Sequence, residues 1–461
     1  MIVMKFGGTS VGDGKRILDA AKLIKNETRK KVVVVSAMGG VTDKLVGTAE
    51  KVVTLPATVV GEEVGRFHSD LLVLHESAAK NAISDEKVLN ETLEGIRELL
   101  NELKFILMGI GYLEDLTPKS LDRVSSFGEQ LSAPILSGAL KSIGAESIHL
   151  TGYEAGIVTN SQFGQARPIP RILSRRIRPK LKGFIEDDIT PVVTGFIAAN
   201  VEAHITTLGR GGSDYTASII AKYMGAEEVQ IWTDVDGIFT TDPRWVAEAK
   251  LIPMLSYAEA MDLAYFGAKV VHPKTIEPAM ESNIPVRVMN TFNPGTEGTL
   301  IVREEKKIEG VAKAVTMAGG VCVVNLHGVG MAETPNIAGR VFTLLGEHGI
   351  NVVMISGASE SNLSFIIGRD DVNDAVEALG GLMDGDIRNL EIHEDVCIIT
   401  VVGAGMKGTK GIAAKIFSTV AEADVNIIMI AQGSSEVNIS FVVEDKDGIN
   451  ALKAIHERFI K

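Results

Sequence analysis

Three short stretches of this chain join fixed charges to clustered glycines. Lys5-Phe6-Gly7-Gly8-Thr9-Ser10 sets a lysine just ahead of two glycines, and Gly209-Arg210-Gly211-Gly212-Ser213-Asp214 wraps an arginine in three. The third, Thr233-Asp234-Val235-Asp236-Gly237, runs on to Thr240-Thr241-Asp242-Pro243-Arg244. Glycines let backbone N–H groups approach an anion closely, and a helix beginning at such a loop adds the positive end of its dipole. Two Gly-rich loops with a lysine, an arginine and several acids fit a nucleoside triphosphate and its metal ion. No Walker pattern is present, so a P-loop NTPase is disfavoured.

The elements that must carry these loops are legible as apolar runs. Val3–Phe6 stops at the first loop, after which Ile17, Leu18, Ala21 and Ile24 recur at helical spacing. Val32–Val35 is continuous, as a strand buried on both faces should be, and breaks at Ser36-Ala37-Met38-Gly39-Gly40. Pro191–Thr194, Val229–Thr233 and Ile284–Met289 repeat the pattern. Strand, loop and helix in succession predict an α/β fold, a mainly parallel sheet between helices, with ligands at the carboxyl ends of the strands. Residues 61–104 read as a long polar helical insertion or lid.

Beyond the charged stretch Arg303–Lys307 the chain repeats itself. At an offset of 75, Cys322 meets Cys397, Gly330-Met331 meets Gly405-Met406, Phe342 meets Phe417 and Asn351 meets Asn426. One inserted residue later, Ser364-Phe365 meets Ser440-Phe441. Each copy reads as a β-α-β-β-α-β unit with an open sheet face. The predicted domains are therefore 1–305, 306–392 and 393–461, with strand exchange between the two repeats left open. Gly403-Ala404-Gly405-Met406-Lys407-Gly408 fits the dinucleotide fingerprint. However, Glu333 replaces the third glycine in its repeat mate, and Asp424 precedes the next apolar run rather than ending it, so the fit is set aside.

Composition narrows the function classes. Of 461 residues, 45% are hydrophobic and 23% charged, which excludes global disorder. Lys plus Arg total 46 against 59 for Asp plus Glu, a net charge of −13 with no long basic run, so nucleic acid is not an expected partner. Two cysteines make no disulfide framework and point to a reducing compartment, and nine scattered histidines suggest no zinc site. The first residues carry no secretory pattern and no apolar run approaches a membrane span, so a cytoplasmic protein is expected.

The strings KFGGTSV, SAMGGVT, SSFGEQLS, TLGRGGSD, WTDVDGIFTTDPR and FGAKVVHP closely resemble the aspartate kinase family of the amino-acid kinase superfamily. The tail resembles that family's paired ferredoxin-like ACT regulatory domains. The resemblance implies phosphoryl transfer from MgATP to the β-carboxylate of L-aspartate, the first step towards lysine, threonine and methionine. It implies Lys5, Arg210, Asp214 and Lys269 at the reacting groups, with Lys5 on the γ-phosphate and Lys269 meeting the phosphates from the other side. Gly7, Gly8, Ser213, Thr233, Asp234, Phe239 and Arg244 match the family's nucleotide positions. Phe239 stands where the family often has Tyr, so stacking on adenine survives but a hydroxyl bond is lost. Ser36, Thr42, Glu129, Phe196 and Thr207 would line the amino-acid end, Arg210 forking onto the α-carboxylate and Glu129 receiving the α-ammonium.

Met331, Asn336, Asn351, Met406 and Asn426 would bind an inhibitory end product, lysine or threonine, and no protein side chains are assigned to the metal. Self-association as a homodimer or larger oligomer is expected. The family's bifunctional members continue into a homoserine dehydrogenase; with the sequence stopping after the second repeat, a monofunctional enzyme is expected. Two other readings stay open at this point: a kinase of a related acidic substrate, and a sensor without catalysis.

Overall fold

The computed structural model describes residues 1–267, 271–303, 312–328, 336–358, 362–382, 387–433 and 436–460. They form two compact units. The first gathers the described residues of 1–238, 253–257 and 270–303. Its strands are β1 (Ile2–Phe6), β2 (Lys31–Val35), β3 (Ser147–Leu150), β4 (Val158–Thr159), β5 (Thr190–Thr194), β6 (Ile197–Asn200), β7 (Ile205–Thr207), β8 (Glu228–Thr233), β9 (Met254–Ser256), β10 (Val286–Asn290) and β11 (Thr299–Val302).

Eight of these make one sheet in the order β3-β5-β2-β1-β8-β10-β11-β9, and β4, β6 and β7 make a small second one. From β3 to β10 every pairing is parallel; only the β10–β11 pairing in this sheet is antiparallel. The apolar runs explain the centre, since all of β1 and Val32–Val35 are buried between helix layers. Register places Phe6 opposite both Val35 and Trp232, so the loops after β1, β2 and β8 leave the sheet side by side. Phe6 and Trp232 stack with ring centroids 5.8 Å apart.

The stretch read as a helical insertion or lid is helical, but it packs into the core and is no lid. Helices Ala57–Ala82 and Glu86–Leu113 place Val60, Val64, Leu71, Ile96 and Leu100 in the same buried cluster as Val33 and Val35. The polar residues that suggested a lid lie on the outward faces, as a 3.6-residue period requires.

The second unit gathers the described residues of 239–252, 258–269 and 304–461. Its sheet contains β12 (Ala314–His327), β13 (Met354–Ala358), β14 (Asn362–Gly368), β15 (Asn389–Val402), β16 (Met429–Ala431) and β17 (Asn438–Glu444), in the order β13-β14-β12-β15-β17-β16. Every pairing is antiparallel, which removes the parallel strand pair a dinucleotide site at Gly403–Gly408 would need. The repeat is physical as well as textual. Helices Ile337–Glu347 and Ile412–Glu422 match at the offset of 75, and Phe342–Phe365 and Phe417–Phe441 make the same edge-to-face pair at 5.8 and 6.1 Å.

The strands do not respect the expected borders. Val323–His327 pairs with Asn389–His393, but Ala314–Ala318 pairs with Ile398–Val402, so the fourth strand of the second repeat comes from upstream of the first. A cut between 392 and 393 passes through β15, and one at 305 falls outside the described residues. Cys322 and Cys397 sit buried in β12 and β15, where burial pushes their thiols up to about 11 and about 12.

Candidate functional site

The carboxyl ends of β1, β2 and β7 and four helical N-termini surround one cavity of about 330 Å³ in the first unit. Lys5, Gly8, Ser36, Thr42, Glu129, Phe196, Arg210, Ser213 and Asp214 all line it. Helices begin there at Gly8, Val41, Phe127 and Gly212, and first-turn residues of each, Gly8, Thr42, Glu129 and Ser213, line the space. That is an environment for anions.

Local geometry explains the glycines. A Cβ on Gly8 would lie 3.0 Å from the Ala37 carbonyl oxygen, so the first two loops touch backbone to backbone. Gly211 caps the helix Gly212–Met224 with φ +73°, a left-handed conformation that a side chain disfavours, and a Cβ there would collide with His272 at 2.5 Å. Phe196 adopts φ +64° without being glycine, and its N–H donates to the Thr216 hydroxyl at 3.1 Å. Such a strained backbone is held by its surroundings and is concentrated at functional sites.

Two charged groups define the chemistry. Lys5, on the buried tip of β1, ion-pairs with Asp214 in the first turn of Gly212–Met224; both side chains are nearly buried. The pair brings together two loops more than 200 residues apart and holds the ammonium in a fixed place. Glu129 lies across the cavity, 4% exposed, on the helix Phe127–Ser142. The Ala37 N–H donates to its carboxylate, but Oε2 has no hydrogen-bond partner among the described residues. Burial pushes the carboxyl up to about 8, against the pull of the backbone donors and of Lys5. A buried carboxyl with an open oxygen is a receptor for a cation that arrives with a ligand.

The other sequence-predicted positions distribute unevenly. Gly7 donates its N–H to the Trp232 carbonyl at 3.0 Å and flanks the cavity at the β1 tip. Thr207, at the end of β7, is buried behind the lining and bonded to Asp122. Thr233 donates to Asp234 at 3.1 Å beyond β8. Phe239 and Arg244 fall in the second unit, where Phe239 bridges to Leu251 and the exposed Arg244 clasps Asp242. Lys269 and Met331 lie outside the described residues. In the second unit Asn336 lines a groove with Arg340 and Thr343, and Met406 lines a cavity with Lys410, Gln432 and Glu436. The structure does not bring Asn351 or Asn426 into either space; both are exposed.

Several neighbours carry no mark that sequence reading could use. Asp43, in the first turn of the helix Val41–Val52, lines the cavity beside Thr42. Gly195 admits the Ser213 side chain so closely that its own Cβ would sit 2.5 Å from Ser213 Cβ. The signal for Gly195 was a glycine directly after a strand end, which by itself reads as a turn.

A model of the amino acid kinase family matches residues 1–290, and an ACT domain model matches 324–381 and 399–459. Aspartokinase 3, chloroplastic, of Arabidopsis thaliana is 34% identical over 473 residues, covering 100% of this chain and 81% of its own length. A bifunctional aspartokinase/homoserine dehydrogenase of Haemophilus influenzae is 35% identical over 99% of this chain and 56% of its own length. The chain thus spans about half the length of the bifunctional relatives it matches. Among solved structures, E. coli aspartokinase III in complex with aspartate and ADP (R-state) superposes with a TM-score of 0.84 at 28% identity, over 99% of both chains. The same enzyme in complex with lysine and aspartate (T-state) gives 0.81 at 28% identity over 100% of both.

Proposed function

This chain belongs to the aspartokinase family, and from that membership we propose that it transfers the γ-phosphoryl group of MgATP to the β-carboxylate of L-aspartate, yielding ADP and 4-phospho-L-aspartate. The observation that carries the reading is the single cavity in which Lys5, Asp214, Arg210 and the uncompensated Glu129 converge. The attacking carboxylate is already ionised at neutral pH, so no general base is needed. The obstacle is repulsion between two anions and the charge spread over the group in flight, which positioning and fixed cations relieve.

Lys5 is assigned to the γ-phosphate. Asp214 shares its ammonium before the nucleotide arrives and so keeps the cation from leaving the sheet end. Arg210 forks onto the α-carboxylate, Glu129 receives the α-ammonium, and Ser36, Thr42 and Phe196 shape the space between them, with Thr207 supporting the lining from behind. Gly8 and Ser213 offer N–H groups to the phosphates, Gly7 leaves room for that approach while its own N–H stays on the Trp232 carbonyl, and Thr233 and Asp234 sit on the nucleotide. Mg²⁺ enters with the nucleotide as part of the substrate. The assignments of Phe239, Arg244 and Lys269 rest on the family resemblance alone.

The repeated second unit supplies feedback control by an amino acid, lysine or threonine. The lysine complex of the E. coli relative supports an effector of that class. Control requires that the effector favour one arrangement of the protein over another. Self-association follows the resemblance, and two buried unpaired cysteines suit a reducing, cytoplasmic setting. ADP release measured with and without L-aspartate tests the reading: release that depends on aspartate supports it. Release that responds instead to glutamate, or to no acid, refutes it.

A further inference from the structure

Asp122 belongs to none of the Gly-rich loops, yet it is 3% exposed and makes bonds to two distant segments. It sits on the helix Pro118–Ser125, whose start is fixed by Pro118 and by the Thr117 hydroxyl accepting from the Ser120 N–H. The Gly164 N–H donates to both carboxylate oxygens at 3.0 Å. The Thr207 N–H donates to Oδ2 at 2.9 Å and the Thr207 hydroxyl to Oδ1 at 2.7 Å. A buried carboxylate met by three donors and, among the described residues, no cation is a costly arrangement unless its geometry matters.

What it joins gives the geometry a purpose. Asp122 lies one turn before the helix that carries Glu129, with only Ser126 between the two helices. That junction is stiff: the Ser126 hydroxyl donates to the Arg123 carbonyl at 2.6 Å, and the Arg123 guanidinium lies 5.1 Å over the Phe127 ring. On the other side, Thr207 ends β7 three residues before Arg210, and the next residue, Leu208, donates its N–H to the Phe196 carbonyl at 2.9 Å. Gly164 belongs to the loop that approaches Gly209, since a Cβ on Gly209 would lie 3.2 Å from the Gly164 oxygen. One carboxylate therefore ties the element bearing Glu129 to the strand and loop bearing Arg210.

We propose that Asp122 is a positioning residue for the amino-acid end of the site, setting the spacing between Glu129 and Arg210 through its bonds to Thr207 and Gly164. The inference rests on the aspartate kinase reading and goes beyond it. A small amino acid held at both its charged groups demands that spacing within a fraction of an ångström, whereas the nucleotide end does not depend on it.

The test compares wild type, Asp122→Asn, Thr207→Val and the double variant, reading KM for L-aspartate, KM for ATP and kcat separately with melting temperatures alongside. Asp122→Asn keeps the shape but turns an NH₂ towards N–H donors. It should raise KM for aspartate about ten-fold or more while KM for ATP stays within about two-fold. Because Asp122 acts through Thr207, the double variant should be little worse than the worse single one. Equal rises in both KM values, or effects that multiply in the double variant, would mean a general structural role and overturn the proposal. If Asp122→Asn does not fold, Thr207→Val decides alone: a selective rise in aspartate KM supports the proposal, and unchanged constants overturn it. Wild-type protein with no aspartate-dependent turnover would sink the kinase reading itself, an outcome distinct from a normal wild type with indifferent variants.

Discussion

Aspartate binding should release a proton if Glu129 receives the α-ammonium as proposed. With its carboxyl pushed up to about 8 by burial, it is protonated in about nine of ten ligand-free molecules at pH 7. An α-ammonium seated against it would favour the ionised form, as an opposite charge within a few ångströms does. Binding at pH 7 should therefore release about 0.9 of a proton per site, provided the bound carboxyl titrates well below neutrality. Apparent aspartate affinity should accordingly rise about nine-fold from pH 6 to 7 and about five-fold from pH 7 to 8, then flatten. Calorimetric titration with L-aspartate in two buffers of different ionisation enthalpy reads the proton count directly. Glu129→Gln should abolish the release and weaken aspartate by about 10²-fold, the scale for leaving a buried charge without its partner.

The same variant should stabilise the ligand-free fold at high pH. A carboxyl raised in the folded state favours folding below its unfolded value near 4.5 and loses that contribution as pH rises through about 8. No proton exchange with a pH-independent affinity, or proton uptake with an affinity that falls as pH rises, would show that Glu129 does not meet the ammonium.

Other expectations follow from particular contacts. His75 is fully buried, its Nδ1 bonded to the Leu71 carbonyl at 2.8 Å, and burial lowers its imidazole to about 4. Its contribution to stability is complete above pH 6.5 and is lost as pH falls towards 4, about 3 kcal/mol in all, so His75→Leu should flatten that part of a pH series of melting curves. Gly195→Ala would drive a methyl into Ser213, and should lower the melting temperature and raise KM for ATP together. Lys5→Met should cut kcat by orders of magnitude at unchanged far-ultraviolet circular dichroism, since it removes the fixed cation assigned to the γ-phosphate. Truncation after Lys307 strips the cluster in which Val246 is buried with Val315, Ile399 and Leu452, so it should yield aggregated protein rather than an unregulated enzyme; size-exclusion chromatography decides.

The centre of the first sheet was plain in the sequence because strands buried on both faces are continuous apolar runs, and β1, β2, β5, β8 and β10 fall within two residues of the predicted spans. Short strands such as β4, β7 and β9 left no comparable pattern, being too brief to show a period. The repeat was readable from matched Gly, Phe and Cys positions. Which strand completes which copy was not, because β12 and β15 are each long enough to serve both. Nor could the chain order reveal that the described residues of 239–252 and 258–269 belong to the second unit. Within the site, residue types announced Lys5, Arg210 and Asp214. The Lys5–Asp214 pair, the burial that raises the Glu129 carboxyl and the reach of Asp122 to Thr207 depend on long-range contacts that no local pattern encodes.

The most direct trial of the account is a crystal structure with L-aspartate and a non-hydrolysable ATP analogue bound together. It should show the terminal phosphate on Lys5, the α-carboxylate on Arg210, the α-ammonium on Glu129 and the β-carboxylate facing phosphorus. An analogue seated away from the β1 tip, or an amino acid held with Glu129 and Arg210 both empty, would contradict it.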